Sequence, residues 1–359
     1  YIAGVNAGNS IQAGGNYNVT VGDEAGTALT TGDDNTFVGY NAGSAVTTGQ
    51  FNTLIGADSG DVITTSSYNT AIGWDSLGVN TSGEVQVALG VSTLRANTTG
   101  TQNTAVGGNA MYANTEGDNN VAVGHNALDA NTTADNNTAV GKDALTANTT
   151  GDTNSAFGKD ALKACTTGTN NSAIGTRSLQ ALTTAANNVA VGDLAGSAIT
   201  TGAKNVLIGV NTGTQGTDLT TGSQNICIGH DTGVSANGAA NQIAIGSGFS
   251  AGGDNTASFG YGSVLLTIGL DGSDTSWAAS SDERLKTNVA TSTAGLSFIN
   301  DLRPVTYEWK QRKDVPSNMT RFYEEGSTEE CLGSGETYHG FLAQEVKTVI
   351  DNHSEVKQG

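Results

Sequence analysis

An all-β fold is predicted for most of this chain of 359 residues: parallel coils of 17 residues stacked into a β-roll or β-solenoid over residues 1–261. A separate domain follows. Three observations predict the stack. Twelve glycines recur every 17 residues from Gly22 to Gly209, and an unbroken period of that length marks one unit stacked on itself. An amide stands four residues before each of them: Asn18, Asn35, Asn52, Asn69, then Gln86, then Asn103 through Asn205. The residue just before each glycine is large and apolar, as in Val21, Ile55, Val140, Phe157 and Ile208. No helical period fits 17 residues in this way, and short strands do.

The repeat Asn137–Thr153 carries the local logic. Thr138–Val140 reads as a short strand around Ala139. Gly141 permits the turn that leaves it. Leu145, with Leu77, Leu94, Met111, Leu128, Leu162 and Leu179 in other rungs, forms an apolar column. Together with the Val140 column it is the expected core of each coil. Thr149-Thr150-Gly151 supplies a second turn. Asparagines in register are expected to bond amide to amide along roughly 14 coils, about 65 Å tall at about 4.8 Å per rung. The alternate strand face carries Ala71, Ala88, Ala105, Ala122, Ala139, Ala156, Ala173 and Ala190. Such a smooth apolar strip is expected to be where identical chains approach, unless both strand faces line one coil interior.

Composition agrees with a soluble structural array. The chain has 50 glycines, 2 prolines and a net charge of −19. That charge argues against binding nucleic acid or an anionic membrane by attraction. No apolar run approaches a membrane-spanning length, so no membrane insertion is expected. No signal peptide opens the chain, and Tyr1 begins in mid-pattern. Cys165, Cys227 and Cys331 lie far apart and form no disulfide or metal framework. After Gly209 the spacing loosens through Gly229, Gly246 and Gly260. Residues 262–280 read as a connector, with a strand at Val264–Leu270 and then a turn. Composition changes abruptly at residues 281–359, which hold both prolines and 9 of the 15 basic residues and form a second domain.

Several columns bear chemistry that a stack would multiply. Asp118, Asp135 and Asp152 share one position in three successive rungs, where calcium or another divalent cation could bridge them. Solvated turn residues would need no ion. Asp58 with Asp75, and Asp143 with Asp160, lie near the separation of a retaining glycosidase pair. Asn41, Asn109, Asn126 and Asn211 in the same column favour turn capping instead. His125 and His230 read as surface residues. The column of Thr98, Thr115, Thr132, Thr149 and Thr166 resembles the threonine ladders of ice-binding solenoids, and turn chemistry explains it as well. No receptor site stands out by aromatic clustering.

The Asn-x-Ala-x-Gly pattern resembles the head repeats of trimeric bacterial adhesins, which are left-handed parallel β-rolls. At the other end stand Ser281-Asp-Glu-Arg-Leu-Lys286-Thr-Asn288, Leu302-Arg-Pro-Val-Thr-Tyr-Glu-Trp309 and Gly340-Phe-Leu-Ala-Gln-Glu-Val346. Alone, Ser280 to Glu283 is a capping box. In this order the three blocks resemble the self-cleaving intramolecular chaperone of phage tail fibres and tailspikes. The resemblance implies a small α+β chaperone domain that brings chains into a homotrimer and then removes itself once. It implies Ser281 as nucleophile and Lys286 as base, with Asp282 adjacent to the site. Family members continue past the last block into a helical segment that holds the trimer, and this sequence stops at Gly359.

The expected protein is therefore a bacteriophage tail fibre located in the virion, and extracellular once released. Its partners would be the phage tail or baseplate and a glycan or other receptor on the host envelope. No cofactor and no substrate turnover are expected. Two alternatives are a polysaccharide-degrading tailspike with its catalytic part upstream, and a secreted bacterial adhesin or extracellular filament.

Overall fold

A computed structural model describes residues 2–270, 296–316, 325, 328 and 337–353. The chain divides into two compact units, Tyr1–Ala279 and Ser280–Gly359. The first is a β-solenoid. Each coil contributes one strand of three residues, from Val19–Val21 to Val206–Ile208 at intervals of 17, to a single 17-stranded sheet. Neighbouring strands are parallel and in register, Ala122 opposite Ala139 and Ala156 opposite Ala173. The rest of each coil is turns whose N–H groups reach the next coil, as Leu128 N–H does to the Ala144 carbonyl at 3.0 Å. Coil-to-coil bonding of turns as well as strands explains how strands this short hold. Val264–Gly269 folds back antiparallel on Thr256–Tyr261, so the strand expected in the connector is the last strand of the sheet.

The inside and outside of the strands are the reverse of the sequence-based expectation. The middle residue of each strand is buried, and its two neighbours point outward. Ala71, Ala88, Ala105, Ala122 and Ala139 are 0% exposed. Leu89, Phe157, Ile174 and Ile208, expected in the core, are 39% to 47% exposed. The alanine column is therefore the core partner of the leucine column, and the Val140 column is the outer face.

Volume explains the reversal. In rungs with alanine at the strand centre, Leu77, Leu94, Met111, Leu128, Leu145, Leu162 and Leu179 fill the coil. Where Phe37 or Leu54 occupies the strand centre, Gly43 and Gly60 stand in the leucine column. A Cβ on Gly43 would meet the side chains of Leu54 and Phe37 at 3.0 Å. The coil has room for one large side chain or the other. The leucine-column residues adopt φ between +48° and +53°, a left-handed backbone that bulky residues avoid. That strain costs about 1–2 kcal/mol, and burying a leucine contributes about 1.5–3 kcal/mol, so burial wins.

Two ladders of side-chain amides run through this core. The expected one is present: Asn35 Nδ2 donates to Asn18 Oδ1 at 3.1 Å, Asn120 to Asn103 at 3.2 Å, and Asn205 to Asn188 at 3.1 Å. A second, which the sequence reading missed, joins Asn80, Asn97, Asn114, Asn131 and Asn148 at 2.7 to 3.1 Å. Each member also donates to a turn carbonyl three residues on, as Asn114 does to Gly117 at 3.1 Å. Cys165 takes the next position in that column and ends the ladder. Its thiol is pushed up to about 11 by burial, and that of Cys227 to about 12. Both should resist alkylation in the folded protein and react only on unfolding, which peptide mass mapping with and without denaturant will check.

In the second unit, helix Leu296–Asp301 precedes strand Val305–Tyr307, which pairs antiparallel with Tyr338–Gly340, and helix Ala343–Asn352 follows. No helix among the described residues is long and apolar enough to cross a membrane.

Candidate functional site

Two regions carry functional chemistry: the outer strand face of the solenoid and the C-terminal unit. The outer face is a stripe of Val, Ile and Thr flanked by two columns. Two residues before the strand stand Tyr17, Phe51, Tyr68 and Val85, all with φ between +58° and +62°. Two residues after it stand Tyr40, Trp74 and Val91, more than half exposed. The Phe51 and Tyr68 rings stack with centroids 5.0 Å apart and planes 12° from parallel. The stack thus gathers aromatics on its first rungs, contrary to the expectation that none cluster. Counting positions in steps of 17 would have found them, because Tyr17, Phe51 and Tyr68 share one column and Tyr40 and Trp74 another.

Asp118, Asp135 and Asp152 have a role that needs no ion. The Oδ1 atom of each accepts the backbone N–H of the residue one rung back, from Thr101, Asp118 and Asp135 at 2.6, 2.7 and 2.8 Å. Asp33 and Asp254 cap Asn16 and Ala240 in the same way. No group of three or more His, Cys, Asp and Glu among the described residues is placed to hold a metal ion.

The glycosidase-like pairs are occupied by structural contacts. Asp75 pairs with Arg95. Lys163 Nζ lies 2.8 Å from Asp160 and 3.8 Å from Asp143. The Lys163 ammonium holds the Asp160 carboxyl below its ordinary range, so it stays ionised and is a poor general acid. The amides of Asn41 and Asn126 donate to Asp58 and Asp143, consistent with turn capping. His125 is exposed, and His230 Nδ1 lies 3.2 Å from Asp231. The threonine hydroxyls are consumed within the stack: Thr98 Oγ1 donates to the Thr115 carbonyl at 2.9 Å, and Thr132 to Thr149 at 3.0 Å.

In the C-terminal unit, two of the three sequence blocks meet. Val305 pairs with Gly340 and Tyr307 with Tyr338. Arg303 Nε donates to Glu345 Oε2 at 3.0 Å, and the guanidinium holds that carboxyl below its ordinary range. Tyr307 packs edge-on against Trp309 at 5.4 Å and stacks on Tyr338 at 5.9 Å. His353 Nε2 lies 2.8 Å from Asp301 Oδ2, tying the helix ends together. Ser281, Asp282 and Lys286 lie outside the described residues.

Residues 281–355 match the family model described as chaperone of endosialidase. No curated protein and no solved structure matches the chain. Fold and match together define a β-solenoid repeat protein with a C-terminal segment of the intramolecular-chaperone type.

Proposed function

We propose that this chain is a subunit of a bacteriophage tail fibre. The solenoid is a rigid shaft that carries the particle to a host-surface glycan or other envelope receptor. The C-terminal segment directs assembly of three chains and then releases itself by one cleavage at Ser281. The observation that carries this reading is the chaperone match, which begins at Ser281 itself. The solenoid supplies the reason such a segment is needed. Coils this alike can pair one rung out of register with little loss of contact, so an assembly clamp has value. Its removal afterwards leaves a product that cannot easily re-enter the unfolding route. The outer Val and Ile stripe, exposed in one chain, is the face that copies would share.

In this reading the Ser281 hydroxyl is the nucleophile and Lys286 takes its proton, which requires the lysine amine to be neutral before attack. Intact-mass analysis of the chain beside Ser281→Ala and Lys286→Ala decides the matter. Wild type is expected to lose a fragment of about 80 residues, the length of residues 281–359, while both variants stay whole. Wild type that stays whole, or variants that cut equally well, would remove the dyad.

A further inference from the structure

The Thr-Thr-Gly turn recurs along the stack, as at Thr149–Gly151 and Thr220–Gly222, and is replaced in the following coil by Asn237-Gly238-Ala239. Backbone bonding fixes that alignment. The N–H groups of Thr220, Thr221 and Gly222 all donate to the Asn237 carbonyl, at 3.0, 3.1 and 3.1 Å. Thr98, Thr99 and Gly100 donate to the Thr115 carbonyl in the same way, so asparagine stands at 237 in a column that is otherwise threonine. No other asparagine in the chain is followed by glycine.

We propose that Asn237 is a site of spontaneous covalent modification: the Gly238 nitrogen displaces its side-chain amide, and the main chain is rerouted there through isoaspartate.

Three observations support this. The first is access. Residues 235–238 are exposed, and among the described residues neither the Asn237 side chain nor the Gly238 N–H makes a hydrogen bond. The ladder asparagines are the opposite case: Asn225 is fully buried, and its Nδ2 is held by Asn205 at 3.0 Å and by the Ala239 carbonyl at 2.8 Å. The second is the attacking residue. Exposed asparagines elsewhere precede larger residues, as Asn119 precedes Asn120, and a side chain on the attacking residue hinders its approach to the amide carbon. The third is that the fold does not demand glycine at 238. Its backbone is not left-handed, and a Cβ would meet only Thr221 Oγ1 at 3.5 Å, an ordinary contact. Thr99, Thr133 and Thr221 occupy the equivalent position in other coils.

The chemistry balances with water as the only co-reactant. The Gly238 nitrogen gives up its proton and bonds to Asn237 Cγ, and the side-chain nitrogen leaves as ammonia. Water then opens the resulting cyclic imide. Opening at the former main-chain carbonyl carries the chain through Cγ, which adds one CH2 to the backbone. The carbonyl that accepted three N–H groups becomes a side-chain carboxylate. Those same three bonds restrain the reaction, because the Asn237 carbonyl and the Gly238 nitrogen belong to one rigid peptide plane. Attack therefore runs when the coil opens locally, and the product cannot re-form the original bonds. The site keeps an irreversible record of openings at this coil.

The full chain, held for weeks at neutral pH and physiological temperature, tests this by peptide mass mapping, with far-UV circular dichroism as the check on fold. The peptide containing Asn237 is expected to gain the mass of an NH2-to-OH exchange, chiefly as isoaspartate, while peptides of the buried ladders keep theirs. Gly238→Ala is expected to lose most of that conversion. Limited proteolysis reads the consequence: aged wild type is expected to become cleavable within residues 219–241, and Asn237→Thr, which restores the residue of the column, to stay resistant at the same age. An Asn237 peptide that keeps its mass, or conversion spread evenly over the exposed asparagines, overturns the site. Conversion that leaves aged wild type as resistant as aged Asn237→Thr overturns the loosening of the coil.

Discussion

Gly141→Ala is expected to break the stack at its middle, lowering its stability by about 2–6 kcal/mol. Gly141 has φ +139°, a conformation that side chains rarely adopt. A Cβ there would stand 2.5 Å from the Gly158 carbonyl oxygen and 2.6 Å from its carbon. Those are backbone atoms, so no rotamer change relieves the clash, and the two coils would have to separate. Separation would stretch the bonds from Gly158 N–H to the Val140 carbonyl at 2.8 Å and from Thr138 N–H to the Asn154 carbonyl at 2.9 Å. Because each coil touches only its neighbours, the loss should divide the array there. Urea denaturation followed by circular dichroism measures the size of the effect, and limited proteolysis its place. Gly108→Ala is the control. Its Cβ would meet only the His125 ring at 3.7 Å, and its backbone is not left-handed. That variant should fall within about 0.5 kcal/mol of wild type. Equal losses in the two variants would dismiss the steric account of the glycine column.

The stack itself was legible because its cause is local and repeated. Gly22 to Gly209 mark the turns, and Asn18 to Asn205 mark the ladder, with Gln86 able to bond the same way. The strand's facing was not legible from hydrophobicity. Val140 is more apolar than Ala139, so polarity alone puts it inside, yet the coil holding Leu145 and Asn148 has room only for a methyl group. The clue was in paired volumes: Phe37 with Gly43 and Leu54 with Gly60 exchange bulk between two columns, which only residues sharing one interior need do. The second ladder was hidden because Asn80 to Asn148 read as ordinary turn residues beside Thr-Thr-Gly. In the C-terminal unit, the blocks at Leu302–Trp309 and Gly340–Val346 were legible as sequence. Their joining through Arg303 and Glu345 was not, since 42 residues separate that pair.

Substitution of Asn120 will separate a structural ladder from a decorative one. Its Nδ2 donates to the Ala134 carbonyl at 2.8 Å and to Asn103 Oδ1 at 3.2 Å, and its Oδ1 accepts the Asn137 N–H at 2.9 Å. Asn120→Ala strands the Asn137 N–H in a dry interior and leaves the Ala134 carbonyl only Asn131 Nδ2, at 3.1 Å, at an expected loss of about 1–3 kcal/mol. Asn120→Gln should lose only about 1 kcal/mol. The chain already uses that residue at Gln86, whose Oε1 accepts the Asn103 N–H at 3.2 Å and whose Nε2 reaches the Gly100 carbonyl. Asn120→Asp should be the worst at neutral pH. It is isosteric, but it places a carboxylate against the Ala134 carbonyl and Asn103 Oδ1 with no proton to give either. Protonation restores a donor, so burial and these neighbours raise the folded-state carboxyl above its unfolded value. The protonated form is then favoured by folding, and the deficit is full above the folded-state value and shrinks as pH falls through it. Asp160 titrates in the opposite sense: Lys163 lowers its carboxyl, and the stability it contributes fades as pH falls. The readout is therefore the difference from wild type at each pH, which cancels the second effect. A difference that narrows on acidification, with the order Gln, Ala, Asp at neutral pH, is what an amide ladder requires. Three variants of equal stability would make the ladder a consequence of the stacking and not one of its causes.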